Sequence, residues 1–186
     1  ANQIELDVNS APANQTICLG TSLVDINFNT IGATNATANG LPSGVQGVWN
    51  NNVFTISGTP TVTGTFNYTV QMTGGCVSSN IATGQIIVND NLITLISGSG
   101  TDNQTVCVNT AISNIIYSTR GASGASFSTL PSGILAVWRN DSVIISGSPT
   151  ALGTYNYVVT MVGGCPGSNN TISGVISVLA NNTITL

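Results

Sequence analysis

The residues of this 186-residue chain able to do chemistry are few: four cysteines, two tryptophans, six carboxylates and two arginines. There is no histidine and no lysine. That inventory removes Ser-His-Asp and Cys-His nucleophilic machinery, His-ligated metals and lysine Schiff bases. It also removes a lysine-to-asparagine isopeptide cross-link. The carboxylates (Glu5, Asp7, Asp25, Asp90, Asp102, Asp141) are scattered and form no paired acid and base. Cys18 and Cys76 stand 58 residues apart, as do Cys107 and Cys165. This spacing predicts one disulfide inside each of two units, in an oxidising, extracellular compartment. Buried free thiols are the alternative. A four-cysteine zinc site lacks its CxxC spacing. Trp49 and Trp138 offer planar rings that could stack on a sugar, against which stands a role as core pins beside Val48 and Val137.

The elements that position these residues are written twice. Cys18 recurs at Cys107, Trp49 at Trp138 and Cys76 at Cys165, each 89 residues on. Leu41-Pro42-Ser43-Gly44 returns as Leu130-Pro131-Ser132-Gly133, and Gly74-Gly75-Cys76 as Gly163-Gly164-Cys165. Between the cysteines of each unit the register never slips. The reading is two tandem domains, 1–90 and 91–181, with 182–186 opening a third copy: Ile184-Thr185-Leu186 echoes Ile93-Thr94-Leu95.

Inside each unit the period is two. Phe66, Tyr68, Val70 and Met72 alternate with polar residues, and Tyr155, Tyr157, Val159 and Met161 repeat the set. Strands are predicted at Leu23 to Phe28, Val53 to Ile56, Thr65 to Thr73 and Gln85 to Val88, with counterparts in the second unit. Asn50-Asn51-Asn52 and Asn140-Asp141 are hairpin turns. No stretch has a helical period. The fold class is therefore all-β: two tandem antiparallel β-sandwich domains of about seven strands each.

Asn, Ser and Thr supply 68 residues, while charged residues are only 4% and the net charge is −4. With hydrophobic residues at 41%, each unit can still build a core. Two arginines leave no footprint for nucleic acid, and no apolar run is long enough to insert into a membrane. No cofactor is called for.

Leu41-Pro42-Ser43-Gly44, Ile56-Ser57-Gly58-Thr59-Pro60, Gly64-Thr65 and the aromatic-alternating strand resemble the Ig-like repeat of large secreted bacterial surface adhesins. The Asn/Thr-rich style and the Gly-Gly-Cys ending are similar to arrays of the Bacteroidota type. The resemblance implies a cadherin-like or immunoglobulin-like sandwich strung in tandem at the cell surface. Asn89-Asp90-Asn91 is similar to part of the cadherin linker motif, which makes Asp90, Asp102, Glu5 and Asp7 weak calcium candidates. The expected function is a non-catalytic stalk or filament subunit. Its partners would be neighbouring repeats of the same chain and, in a filament, further copies. A glycan-binding adhesin module using loops or the Trp49 and Trp138 rings is the alternative.

Overall fold

The computed structural model describes residues 2–74, 81–165 and 170–182. The chain divides between Asn89 and Asp90 into two compact units. The first contains β1 (Gln3–Leu6), β2 (Asn14–Cys18), β3 (Ile26–Ile31), β4 (Asn35–Asn39), β5 (Val45–Asn50), β6 (Val53–Gly58), β7 (Gly64–Thr73) and β8 (Ile81–Asn89). The second repeats the series as β9 (Leu92–Leu95), β10 (Asn103–Cys107), β11 (Ile115–Arg120), β12 (Gly124–Phe127), β13 (Ile134–Arg139), β14 (Ser142–Gly147), β15 (Gly153–Val162) and β16 (Thr171–Leu179). Among the described residues there is no helix.

Each unit is a sandwich of two four-stranded sheets. In the first, one sheet runs β1-β3-β6-β5 and the other β2-β8-β7-β4; the second unit has the same two orders. Eight strands stand where about seven were expected, because the opening segment divides between the sheets. β1 pairs antiparallel with β3, whereas β2 lies parallel to β8. The turn between them closes on Asp7, whose carbonyl accepts from the Ser10 amide and whose Oδ1 accepts from the Asn9 amide.

The alternating residues face inward as their period requires. Ile26, Phe28, Phe54, Ile56, Tyr68, Val70 and Ile86 form the first core, and Ile115, Tyr117, Val143, Ile145, Tyr157, Val159 and Ile176 the second. The hairpins lie where the asparagines put them: Asn51 (φ 47°) and Asn52 (φ 65°) link β5 to β6, and Asn140 (φ 49°) and Asp141 (φ 54°) link β13 to β14. Both central residues have positive φ, as a two-residue turn between right-twisted strands demands. β3 begins at Ile26 rather than Leu23. The Leu23 amide bonds the Gly58 carbonyl, and Val24 is held through both backbone groups by the Gln15 side-chain amide. Ile184-Thr185-Leu186, the expected opening of a third copy, lies outside the described residues.

Candidate functional site

Each domain has two poles, and the repeated residues cluster at them. In the second domain the entry pole is built around Asn91, only 1% exposed. Its Nδ2 donates to the Gly163 carbonyl (3.0 Å) and its Oδ1 accepts from the Cys165 amide (3.0 Å), so both ends of its amide are satisfied. This clamps the Gly-Gly-Cys turn. Gly164 (φ 70°) leaves no room for a side chain, because a Cβ there would run into the Gly121 carbonyl. The first domain repeats the clamp, with Asn2 Nδ2 donating to the Gly74 carbonyl (3.0 Å). Read from the sequence, Asn91 was part of a calcium motif; the structure instead uses it to hold a turn.

The exit pole is formed by the ends of the parallel strand pair. Cys107 lies beside Leu179 in register, and the next amide, Val108, bonds the Leu179 carbonyl at 2.8 Å. Cys18 sits likewise beside Asn89, with the Leu19 amide on the Asn89 carbonyl at 2.8 Å.

This register overturns the expected Cys107–Cys165 bridge. Gly153, at the start of β15, pairs with Val178 near the exit pole, while Cys165 follows the far end of β15. Ten residues of strand put about 30 Å between the two poles. A disulfide needs its Cα atoms within about 7 Å. Cys107 accordingly carries a free, exposed thiol, whereas Cys165 is disulfide-bonded. Cys18 is also in a disulfide; its expected partner Cys76 lies outside the described residues.

The two tryptophans occupy equivalent half-buried positions and pack against their cores. Trp49 Nε1 donates to Thr30 Oγ1 and Trp138 Nε1 to Thr119 Oγ1, both at 3.0 Å, and both threonines are buried. Two of the calcium candidates, Glu5 and Asp7, have local side-chain partners. Glu5 accepts from the Gln3 side chain, and Asp7 from Asn29 Nδ2 (2.8 Å) and the Asn9 amide. The Asn9 amide, and after it the Asn29 side chain, hold the Asp7 carboxyl below its ordinary value. Asp102 offers its main-chain carbonyl to the Val175 amide. Among the described residues no three such groups converge on a metal position.

A latch beneath the strand crossover escaped the sequence reading. Tyr68 Oη donates to the Ala13 carbonyl (2.8 Å), and Tyr157 Oη reaches toward the Asp102 carbonyl. Gly84 and Gly174 are required beside them, since a Cβ at either would meet the tyrosine oxygen. Burial pushes the Tyr68 phenol up to about 12 and raises Tyr157 further. The signal was present as a glycine interrupting the alternation of β8 and β16. Over Tyr157 the second domain has an open cleft of about 510 Å³ lined by Asp102, Asn103, Asn156, Ser173 and Gly174.

No family model matches the chain, and no curated protein sequence matches it. Similar solved structures include DIP-gamma IG1+IG2, with a TM-score of 0.55, 9% identity, and coverage of 97% of this chain and 99% of that one. Dpr11 IG1 bound to DIP-gamma IG+IG2 gives a TM-score of 0.53 at 7% identity, covering 97% and 100%. The strand orders and these likenesses define the class: the chain consists of two immunoglobulin-like β-sandwich domains in tandem. The likeness stops at the fold, because the inward positions of β3 and β7 hold Phe28, Tyr68 and Val70 where immunoglobulin domains carry their inter-sheet cystine.

Proposed function

We propose that the chain is a non-catalytic structural module of an extracellular repeat protein, serving as a stalk segment of a bacterial cell-surface fibre or adhesin. One observation carries this reading: within each domain the second strand and the last strand are parallel neighbours. In the first domain β2 pairs with β8 over its whole length, Asn14 opposite Gln85 through Cys18 opposite Asn89. In the second, β10 pairs with β16 in the same way. A pull along the chain therefore loads these hydrogen bonds together in shear, where a hairpin would open one bond at a time. The disulfide-bonded state of Cys18 and Cys165 fits an oxidising exterior. Neutral Asn, Ser and Thr side chains hold the loops, and the only cations, Arg120 and Arg139, are exposed. A glycan platform finds less support, since each indole lies against its core with its N–H bonded to threonine.

The test is to pull the reduced chain by its ends in single-molecule force spectroscopy. Two rupture events are expected, each releasing about 300 Å of chain. Gradual lengthening without rupture peaks would refute a load-bearing role. Electron microscopy over a range of concentrations then separates a spacer, seen as single particles, from a filament subunit.

A further inference from the structure

Both domains carry a row of three residues across the outward face of one sheet, and they use it differently. In the first domain Asn14, Gln85 and Asn67 stand in register on β2, β8 and β7. Gln85 ties the row together. Its side-chain Nε2 donates to Asn67 Oδ1 (2.8 Å), and its backbone amide donates to Asn14 Oδ1 (2.9 Å). In the second domain the same row reads Asn103, Val175 and Asn156 on β10, β16 and β15. Valine has no polar atom to offer its neighbours, and its backbone amide donates instead to the Asp102 carbonyl (2.7 Å). The Asn103 and Asn156 side chains are exposed and hydrogen-bond no described residue. The open cleft over Tyr157 lies along this loosened row, and its volume of about 510 Å³ is that of a small-ligand site.

From the untied carboxamides and the cleft that runs between them, we propose that the second domain binds a pyranose unit of a neutral glycan, held by Asn103 and Asn156 over Val175. This goes beyond the stalk reading and does not depend on it. Neither indole lines the cleft.

The chemistry of the lining selects the ligand. Two strand spacings separate Asn103 from Asn156, about 10 Å between their backbones. That span suits one sugar ring with a hydroxyl bonded at each side. A carboxamide both donates and accepts, so it serves a hydroxyl in either role. Asp102 and Ser173 bring a carboxylate acceptor and a hydroxyl to the same cleft. Val175, in the middle of the row, and Val158 beside it supply apolar surface for the C–H face of the ring. The one charged side chain in the lining is the Asp102 carboxylate, and neither arginine is part of it. A phosphate, sulfate or uronate would meet that charge with nothing to neutralise it, which leaves an uncharged polyol as the fitting occupant. The cleft is open to solvent, so the rest of a glycan need not fit inside it.

The test titrates the whole isotope-labelled chain with the methyl glycosides of glucose, galactose, mannose and N-acetylglucosamine, followed by amide shifts in NMR spectra. Glucuronic acid is the anionic comparison. At least one neutral glycoside should give saturable shifts grouped at Asn103, Asn156, Ser173 and Val175, and glucuronic acid should bind more weakly. Val175→Gln gives the row the first domain's central residue and should abolish the binding. Asn156→Ala, at an exposed position, should weaken it about tenfold. Unchanged amide shifts away from the cleft report that each variant is folded. No saturable shift with any neutral glycoside would overturn the proposal, as would wild-type affinity in both variants. Shifts grouped at Trp49 or Trp138 would return the sugar to the indoles, and glucuronic acid binding as tightly as the neutral sugars would contradict the assigned ligand; either result overturns it too.

Discussion

Where the first domain packs Phe54 over Gly47, the second packs Val143 over Ala136. The two pairs are in equivalent register across the β5–β6 and β13–β14 hairpins. A Cβ on Gly47 would penetrate the Phe54 ring. Shrinking the ring to valine makes room for it, so the second domain can carry alanine. A further exchange accompanies this one. Phe28 becomes Tyr117, whose hydroxyl meets Tyr157 Oη at 2.9 Å inside the core. One domain closes its core with a large ring against bare backbone, the other with smaller aliphatics and a buried pair of phenols. What is held constant is the volume between the sheets; the chemistry filling it is exchangeable in coupled sets.

The largest effect should come from removing the ring that defines the first solution. Phe54→Ala should destabilise the first domain by about 3–5 kcal/mol. Val143→Ala removes far less volume and should cost the second domain clearly less. Each domain has a single tryptophan, so urea unfolding followed by the fluorescence of Trp49 in a Trp138→Phe chain, and the converse, reads the domains separately. Equal losses would show that the two cores do not differ in the way their packing implies.

Gly47→Ala should cost about 1–3 kcal/mol by overpacking, and the coupled change sharpens the point. In Gly47→Ala/Phe54→Val the first domain acquires the second domain's pair, and the penalty of the alanine should vanish there. A double-mutant cycle with an interaction of about 1 kcal/mol or more is expected. Strict additivity would break the argument that the two positions are one packing unit. The reverse change, Ala136→Gly, should cost only about 0.5–1 kcal/mol through backbone entropy.

The phenol pair separates the domains by pH. An unfolded tyrosine loses its proton near pH 10. Burial holds Tyr68 protonated up to about 12, and burial also raises Tyr117 and Tyr157. Above pH 10 the unfolded chain thus binds fewer protons than the folded one, so stability is complete below that pH and falls as pH rises. Each such tyrosine contributes a slope of up to about 1.4 kcal/mol per pH unit. The second domain has two of them and should fall more steeply between pH 10 and 12. Tyr117→Phe should bring its slope to that of the first domain, as judged by urea midpoints across that range.

Much of this was legible in the residues and some was not, for definite reasons. Alternation placed Tyr68, Val70, Tyr157 and Val159 in the cores because a strand has only two faces. Asparagines at 51, 52 and 140 marked the hairpins because they tolerate positive φ. The parallel crossing of β2 and β10 was hidden, since Asn14–Cys18 contains nothing that distinguishes a parallel from an antiparallel partner. That same hidden register decides which cysteines can meet, so spacing alone suggested a bridge from Cys107 to Cys165 that the sheet forbids. Asn91 misled for a related reason: an asparagine beside an aspartate reads as a cation ligand until its two amide atoms are seen to be occupied.

The smallest effect on stability concerns the outward faces, where the domains differ most visibly. On the first, Asn27 and Thr55 bond each other (2.7 Å) and Asp7 holds Asn29. On the second the corresponding residues are Ile116 and Ile144, in line with exposed Val137 and flanked by Ile96 and Leu135, the last 72% exposed. A row of this kind facing water favours association. With charged residues at 4%, little repulsion opposes it. Leu135→Gln and Ile96→Asp give the second domain the residues that stand at Gln46 and Asp7 in the first. Both positions are open to solvent, so stability should move by no more than about 0.5 kcal/mol. Light scattering at rising concentration should nevertheless show weaker self-association than wild type. An unchanged concentration dependence would show that the apolar row is an incidental surface, and that any lateral contact between chains must come from the sheet edges, whose backbone groups need no particular side chain to pair.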